Sequence, residues 1–244
     1  ADSFPDIYDF TANGHVVQNK LESSSKTTIA LTTGLALGGG LELALSCDYR
    51  IGTRKTQFRF PETSIGIFPG LGGTQRPARI SGIPAARWAV LAGNFMDAKT
   101  AADLGLVTDL VDIAEVGSTI LSLDASGKPE NKYPGKPANP DSKVAQFANS
   151  FYSDENIATV LAGNCPEGFD SEDKGVSRQM KSLSRTAPIA LSLASDLINA
   201  AGKTNLSEGL GQELGNLEKI FSTNDALEGL SALIEGRKPT YQNS

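Results

Sequence analysis

The stretch Gly34–Arg50, "GLALGGGLELALSCDYR", constrains this chain more than any other. Immediately before it, "TTIALTT" (Thr27–Thr33) is a β-branched run of strand length that ends at Gly34. After the glycines Gly38–Gly40, apolar residues recur at helical spacing as far as Cys47. A strand, a glycine turn and a helix in such quick succession point to an α/β chain. Two features work against that helix. Glycine is about 1 kcal/mol worse than alanine in a helix interior, and Glu42 sets a carboxylate among leucines and alanines, where burying charge is costly. Tight packing with a solvent-facing glutamate would reconcile them. So would a ligand site that needs both a close backbone N–H and a carboxylate, and at this point both readings stand.

The α/β pattern continues downstream. "DYRIGT" (Asp48–Thr53), "TQFRF" (Thr56–Phe60) and "LVTDLVD" (Leu106–Asp112) read as strands. "PETSIGIFPGLGGTQR" (Pro61–Arg76) is dense in Gly and Pro and reads as an ordered loop entering a helix. Ile83–Gly93 and Asp97–Gly105 have helical spacing, each closed by glycine. After Asp112 the composition changes, and Asp124–Lys143 carries four prolines and reads as a linker or excursion loop. Val144–Tyr152 is a short helix and Gly163–Gly175 another loop. Ala187–Ala201, Leu206–Ser222 and Asn224–Lys238 read as helices, with Ser207 and Asn224 as N-caps of the last two. Three regions result: 1–112, 113–176 and 177–244.

Composition narrows the chemistry. At 244 residues and a net charge of −6, the chain lacks the basic face of a nucleic-acid binder. No apolar run reaches membrane-spanning length. The two cysteines, Cys47 and Cys165, are too few and too far apart for a disulfide framework or metal cluster, so a reducing, cytoplasmic setting is expected. The single histidine, His15, lies in a polar N-terminal segment where no role is expected, and histidine-based triads and metal sites are set aside. Cys47 reads as a small buried residue and Trp88 as core or oligomer contact. Arg59 faces either a pocket mouth or a ligand's phosphates, or else solvent.

Acid–base work therefore falls to carboxylates, and Glu42 and Glu62 both lie in glycine-rich, apolar surroundings. If the strands Asp48–Phe60 return past the first helix, the two converge on one pocket, one serving as acid and the other as base. Gly38–Gly40 would bring backbone N–H groups close to a ligand at the positive end of a helix. On periodicity alone, Glu42 is equally a surface glutamate. "PGLGG" lacks the lysine and Ser/Thr of a phosphate loop.

"GLALGGGLELALSCDYRIGTRKTQFRFPETSIGIFPGLGGTQR" resembles the crotonase, or enoyl-CoA hydratase/isomerase, superfamily. The carrying motifs are "GGGxE", a "PE" twenty residues on, and "GxxPGxGGTQR". The similarity is dense from Thr27 to Asp112 and is nearest to hydratases and the hydratase parts of multifunctional β-oxidation proteins. It implies a ββα spiral core with a C-terminal helical region, 113–176 being an insertion. It implies hydration of an enoyl-CoA thioester, with coenzyme A as part of the substrate and no further cofactor. Gly39 would give an oxyanion N–H, Glu42 would hold and deprotonate water, and Glu62 would protonate the α-carbon. Gly70 would position the water or acyl group, beside Pro61. Ala1 and Asp2 would fall at the end of an upstream "AGAD"-like motif, bordering the coenzyme A site. The first oxyanion donor and the strands before it would then lie outside this chain. A coenzyme-binding lysine of some hydratases falls on Gly236, with Arg237 or Lys238 as substitutes. Trimer-based homo-oligomers, or association with an upstream dehydrogenase or N-terminal portion, are also implied. Isomerase chemistry, another acyl-CoA conversion and a non-catalytic binding or assembly subunit are the alternatives.

Overall fold

The strand expected over Thr27–Thr33 forms over Ile29–Thr32, and a further short strand follows it over Leu35–Leu37. In the computed structural model, which describes residues 4–244, a helix α1 (Phe4–Glu22) leads into β1 (Ile29–Thr32), and a bend at Gly34 starts β2 (Leu35–Leu37). Helix α2 (Gly39–Ser46) then carries the chain back to β3 (Tyr49–Gly52) and β4 (Gln57–Arg59). β1 pairs in parallel with β3, and β2 in parallel with β4, so each ββ step feeds two different sheets. This is the ββα spiral that the motifs imply. Ala1 and Asp2 lie outside the described residues.

After the loop from Pro61, α3 (Arg76–Ser81) and α4 (Ile83–Leu91) precede β5 (Met96–Asp97), antiparallel to β4. Helix α5 (Ala98–Asp103) leads to β6 (Asp109–Leu110), parallel to β3, which completes sheets of order β1-β3-β6 and β2-β4-β5. The strand expected at Leu106–Asp112 contracts to two residues. Leu106 and Val107 instead turn back, both donating to the Ala101 carbonyl at 2.8 and 3.1 Å.

Beyond β6 come α6 (Val116–Ser126), α7 (Lys143–Phe151), α8 (Ile157–Leu161), α9 (Lys174–Leu183) and α10 (Pro188–Ala201). The proline-rich stretch between α6 and α7 has no helix or strand, as expected, but it is docked on the core. Gly135 N–H donates to Arg79 O at 2.7 Å, and Lys132 Nζ to Glu22 Oε1 at 2.8 Å. The helix expected over Leu206–Ser222 breaks at Asn216 into α11 (Leu206–Gly215) and α12 (Leu217–Phe221). Helix α13 (Asn224–Glu235) follows. Its cap is Thr223, and that of α11 is Asn205, one and two residues before the expected Asn224 and Ser207. Each has extended backbone and a side-chain oxygen that accepts a free first-turn N–H.

Packing is continuous from the spiral to the C-terminal helices. Leu41, Leu45, Phe58, Phe60 and Met96 share one core with Ala190, Ala194 and Ile198 of α10. Helix α13 meets the 3₁₀ turn Glu62–Ile65 backbone to backbone. A Cβ at Gly229 would overlap Ile65 O, and one at Gly66 would overlap Asp225 O.

Candidate active site

Glu42 lies in the first turn of α2, on the stripe Leu41–Glu42–Ala44–Leu45 that faces inward, and is 2% exposed. Gly38 makes this placement possible. Its N–H extends the pairing of the second sheet by donating to Arg59 O at 3.0 Å, while its φ of +47 turns the chain into the helix. Only glycine adopts such a φ readily, and a Cβ there would overlap Glu62 Oε1. The strict demand for glycine thus falls on Gly38, while Gly39 supplies the open approach.

Glu62 opens the 3₁₀ turn after β4 and is 8% exposed, and its Oε2 has no hydrogen-bond partner. Glu42, Glu62, Gly39 and Gly70 line one cavity of about 630 Å³, walled by Ile7, Phe10 and Thr11 of α1 and Leu217 and Phe221 of α12. As a first-turn residue, Gly39 has no intrahelical acceptor for its N–H. Pro61 is not among the lining residues; it sits beneath Gly38. Arg59 lines a different cavity. Arg237 pairs with Glu228 and Glu235 and Gly236 closes α13 in the left-handed conformation, and neither they nor Lys238 line this cavity.

The loop Gly70–Thr74 lies between two buried carboxylates. Leu71 N–H and Gly73 N–H both donate to Glu42 Oε1 at 2.8 Å. The alternate amides turn the other way: Gly72 N–H donates to Glu213 Oε2 at 2.7 Å and Thr74 N–H to Glu213 Oε1 at 3.1 Å. His15 Nε2 donates to Gly70 O at 2.7 Å and lies 3.4 Å from Glu213 Oε2. His15 therefore has a place, contrary to expectation: it is buried and fixes the carbonyl at the start of the loop. Arg76, fully buried, spans from Leu71 O to Gln18, Asn19 and Glu22 of α1.

Burial drives the electrostatics. It holds the Glu42 carboxyl well above the usual range, aided by the Glu62 and Glu213 carboxylates and opposed by the Leu71 and Gly73 amides. Burial pushes Glu62 up to about 7, against a smaller pull from Arg59. Two adjacent carboxyls that resist ionising can carry a proton between them at neutral pH.

Sequence reasoning missed Glu213 and His15. Glu213 had a signal, since it shares the inward stripe of Leu210, Leu214 and Leu217. His15 had none, because its stripe is Thr11, His15 and Gln18, polar throughout.

The family model described as enoyl-CoA hydratase/isomerase matches residues 3–244. This chain belongs to that family. Over 221 residues it is 32% identical to "Probable enoyl-CoA hydratase 2, mitochondrial" of Arabidopsis thaliana, covering 91% of this chain and 55% of that protein. It is 28% identical to the "Short-chain-enoyl-CoA hydratase" of Clostridium acetobutylicum, over 92% of this chain and 65% of the other. The family fold recurs in an enoyl-CoA hydratase from Rhodobacter sphaeroides 2.4.1, with TM-score 0.77 and 22% identity, covering 98% of this chain and 70% of that one. The chain thus spans roughly half to two thirds of these curated relatives. Among the described residues no helix is long and apolar enough to cross a membrane.

Proposed function

We propose that this chain adds water to a trans-2-enoyl-CoA thioester, giving a 3-hydroxyacyl-CoA. The observation that carries this reading is the pair of buried carboxylates sharing one cavity with the first-turn N–H of α2. Gly39 N–H donates to the thioester carbonyl oxygen, and the polarised carbonyl draws electrons from the double bond and makes the β-carbon electrophilic. Glu42, pinned through Oε1, keeps Oε2 for the water and takes its proton as the water oxygen bonds to the β-carbon. The resulting enolate is stabilised at Gly39, and Glu62 passes a proton to the α-carbon. With both carboxyls on one side, addition is syn. Gly70 borders the water. Coenzyme A belongs to the substrate, and no other cofactor enters.

Isomerisation of a 3-enoyl-CoA needs only one proton-shuttling carboxyl, so two buried carboxyls in one cavity favour hydration. Fusion to, or partnership with, a dehydrogenase is supported by 32% identity to the "Peroxisomal bifunctional enzyme" of Danio rerio, over 84% of this chain and 25% of that protein. A trimer-based assembly is the matching expectation for quaternary state, and mass photometry measures it. Free Cys47 and Cys165 fit a reducing compartment. Fractionation decides between the cytoplasm and the mitochondrial or peroxisomal settings in the relatives' names.

Loss of enoyl-thioester absorbance from crotonyl-CoA is the test. Glu42→Gln and Glu62→Gln should each slow it by 10²-fold or more. A wild-type rate no greater than that of the double variant overturns the proposal and leaves a non-catalytic binding or assembly subunit.

A further inference from the structure

A second cavity, about 670 Å³, lies on the far side of the Glu62 turn, between the spiral and the helices of the 113–183 region. Four cations, Arg59, Lys143, Arg178 and Arg185, line it, and no aspartate or glutamate does. In a chain of net charge −6 this is a local reversal. Among the described residues, no salt bridge engages any of the four.

The walls are built rather than incidental. Asn94 Nδ2 donates to Trp88 O at 2.8 Å and to Gln179 Oε1 at 3.2 Å, and Gln179 Nε2 returns a bond to Asn94 Oδ1 at 3.1 Å. Gln179 is 4% exposed, so this lock ties α9 to the end of α4 from inside. Arg59 is anchored by Gly93 O at 2.8 Å, with its guanidinium 4.8 Å from the Phe95 ring centre. Half-buried and fixed, it forms no salt bridge and feels only the Glu62 carboxyl at longer range, which leaves its guanidinium open to an incoming anion. Trp88, Phe95 and Phe147 add aromatic surface.

The geometry points to a site for a purine nucleotide carrying two or more phosphates, the base lying on the aromatic side chains and the phosphates on the cations. Aromatic surface suits a flat base, and four cations suit several negative charges rather than a single carboxylate. The volume is ample for such a ligand. Two sources share this chemistry: a free nucleotide such as ADP, or the nucleotide end of a coenzyme A thioester. The site goes beyond the hydration chemistry, and its occupancy is read without turnover.

Trp88 is the only tryptophan, so its fluorescence reports this cavity alone. Titration with ADP and, separately, with coenzyme A should give a saturable change below millimolar concentration, weakened by added salt. The double variant Arg178→Glu/Arg185→Glu, at two exposed positions, should weaken the binding at least ten-fold, with tripolyphosphate competing. A rise in KM for crotonyl-CoA in that variant, with unchanged turnover of a pantetheine thioester lacking the nucleotide, identifies the substrate's own nucleotide. Unchanged KM with ADP binding lost identifies a free nucleotide. No saturable Trp88 response to either ligand, or a response that the double variant leaves intact, overturns the site.

Discussion

At the scale of single residues, Glu62 works against stability. A carboxyl that titrates near 7 in the folded chain and near 4.5 when free makes the folded state the stronger proton binder between those values. Stability therefore falls as pH rises from about 4.5 to 7, by about 3 kcal/mol at 1.4 kcal/mol per pH unit, and stays low above that. Glu62→Gln removes the ionisation and keeps the shape. The variant should show a higher urea midpoint than wild type at pH 8 and nearly the same midpoint at pH 4.5. Equal gaps at both values would show that Glu62 does not carry this cost. The same titration sets the rate: kcat/KM for hydration should decline above about pH 7, as Glu62 loses the proton it must deliver. Gly38→Ala meets both a left-handed φ and the Glu62 carboxyl. It should lower the melting temperature by several degrees, at a cost of about 1–3 kcal/mol.

At the scale of elements, the loop Gly70–Thr74 is a strip whose amides alternate between Glu42 and Glu213. Glu213→Gln sets an NH₂ group against the donors on one side, so the strip should shift and carry Glu42 with it. Turnover should fall about ten- to a hundred-fold with KM little changed, and differential scanning calorimetry should register about 1–3 kcal/mol of lost stability. Unchanged kcat would show that Glu42 is held without that second carboxylate. Much of this level was legible in advance. The "GGGxE" and "PE" spacing reached both cavity carboxyls, and apolar periodicity reached α4 and α10. What stayed hidden had a physical cause. Helix α1 turns Thr11, His15 and Gln18 inward, and the partners of His15 and Gln18, Gly70 O and Arg76, come from 55 or more residues away, so hydropathy carried no trace of it. The break at Asn216 is not explained by the stripe itself, which runs unbroken from Leu210 to Ile220.

At the scale of the whole molecule, Glu22 joins parts distant in sequence. It binds Arg76 of α3 at 2.9 Å, Lys132 at 2.8 Å and the Tyr133 hydroxyl. Burial pushes its carboxyl up, but Arg76, Lys132 and Tyr133 together outweigh burial and leave it lowered. A depressed carboxyl stabilises the fold above its unfolded value and loses that contribution as pH falls through its folded value. Below pH 4, α1 and the proline-rich loop should therefore loosen before the spiral does. Hydrogen exchange at pH 3.5 and 7 should show protection lost first over residues 4–22 and 128–136, and uniform loss would exclude a local hinge at Glu22.

The meeting of Gly66 and Gly229 has a consequence for descent. Where side chains touch, a change on one surface is repaired by a smaller or larger neighbour on the other. Here main chain rests on main chain, just behind the acid at Glu62. No second-site substitution can restore the fit, so α13 and the Glu62 turn can only be inherited together.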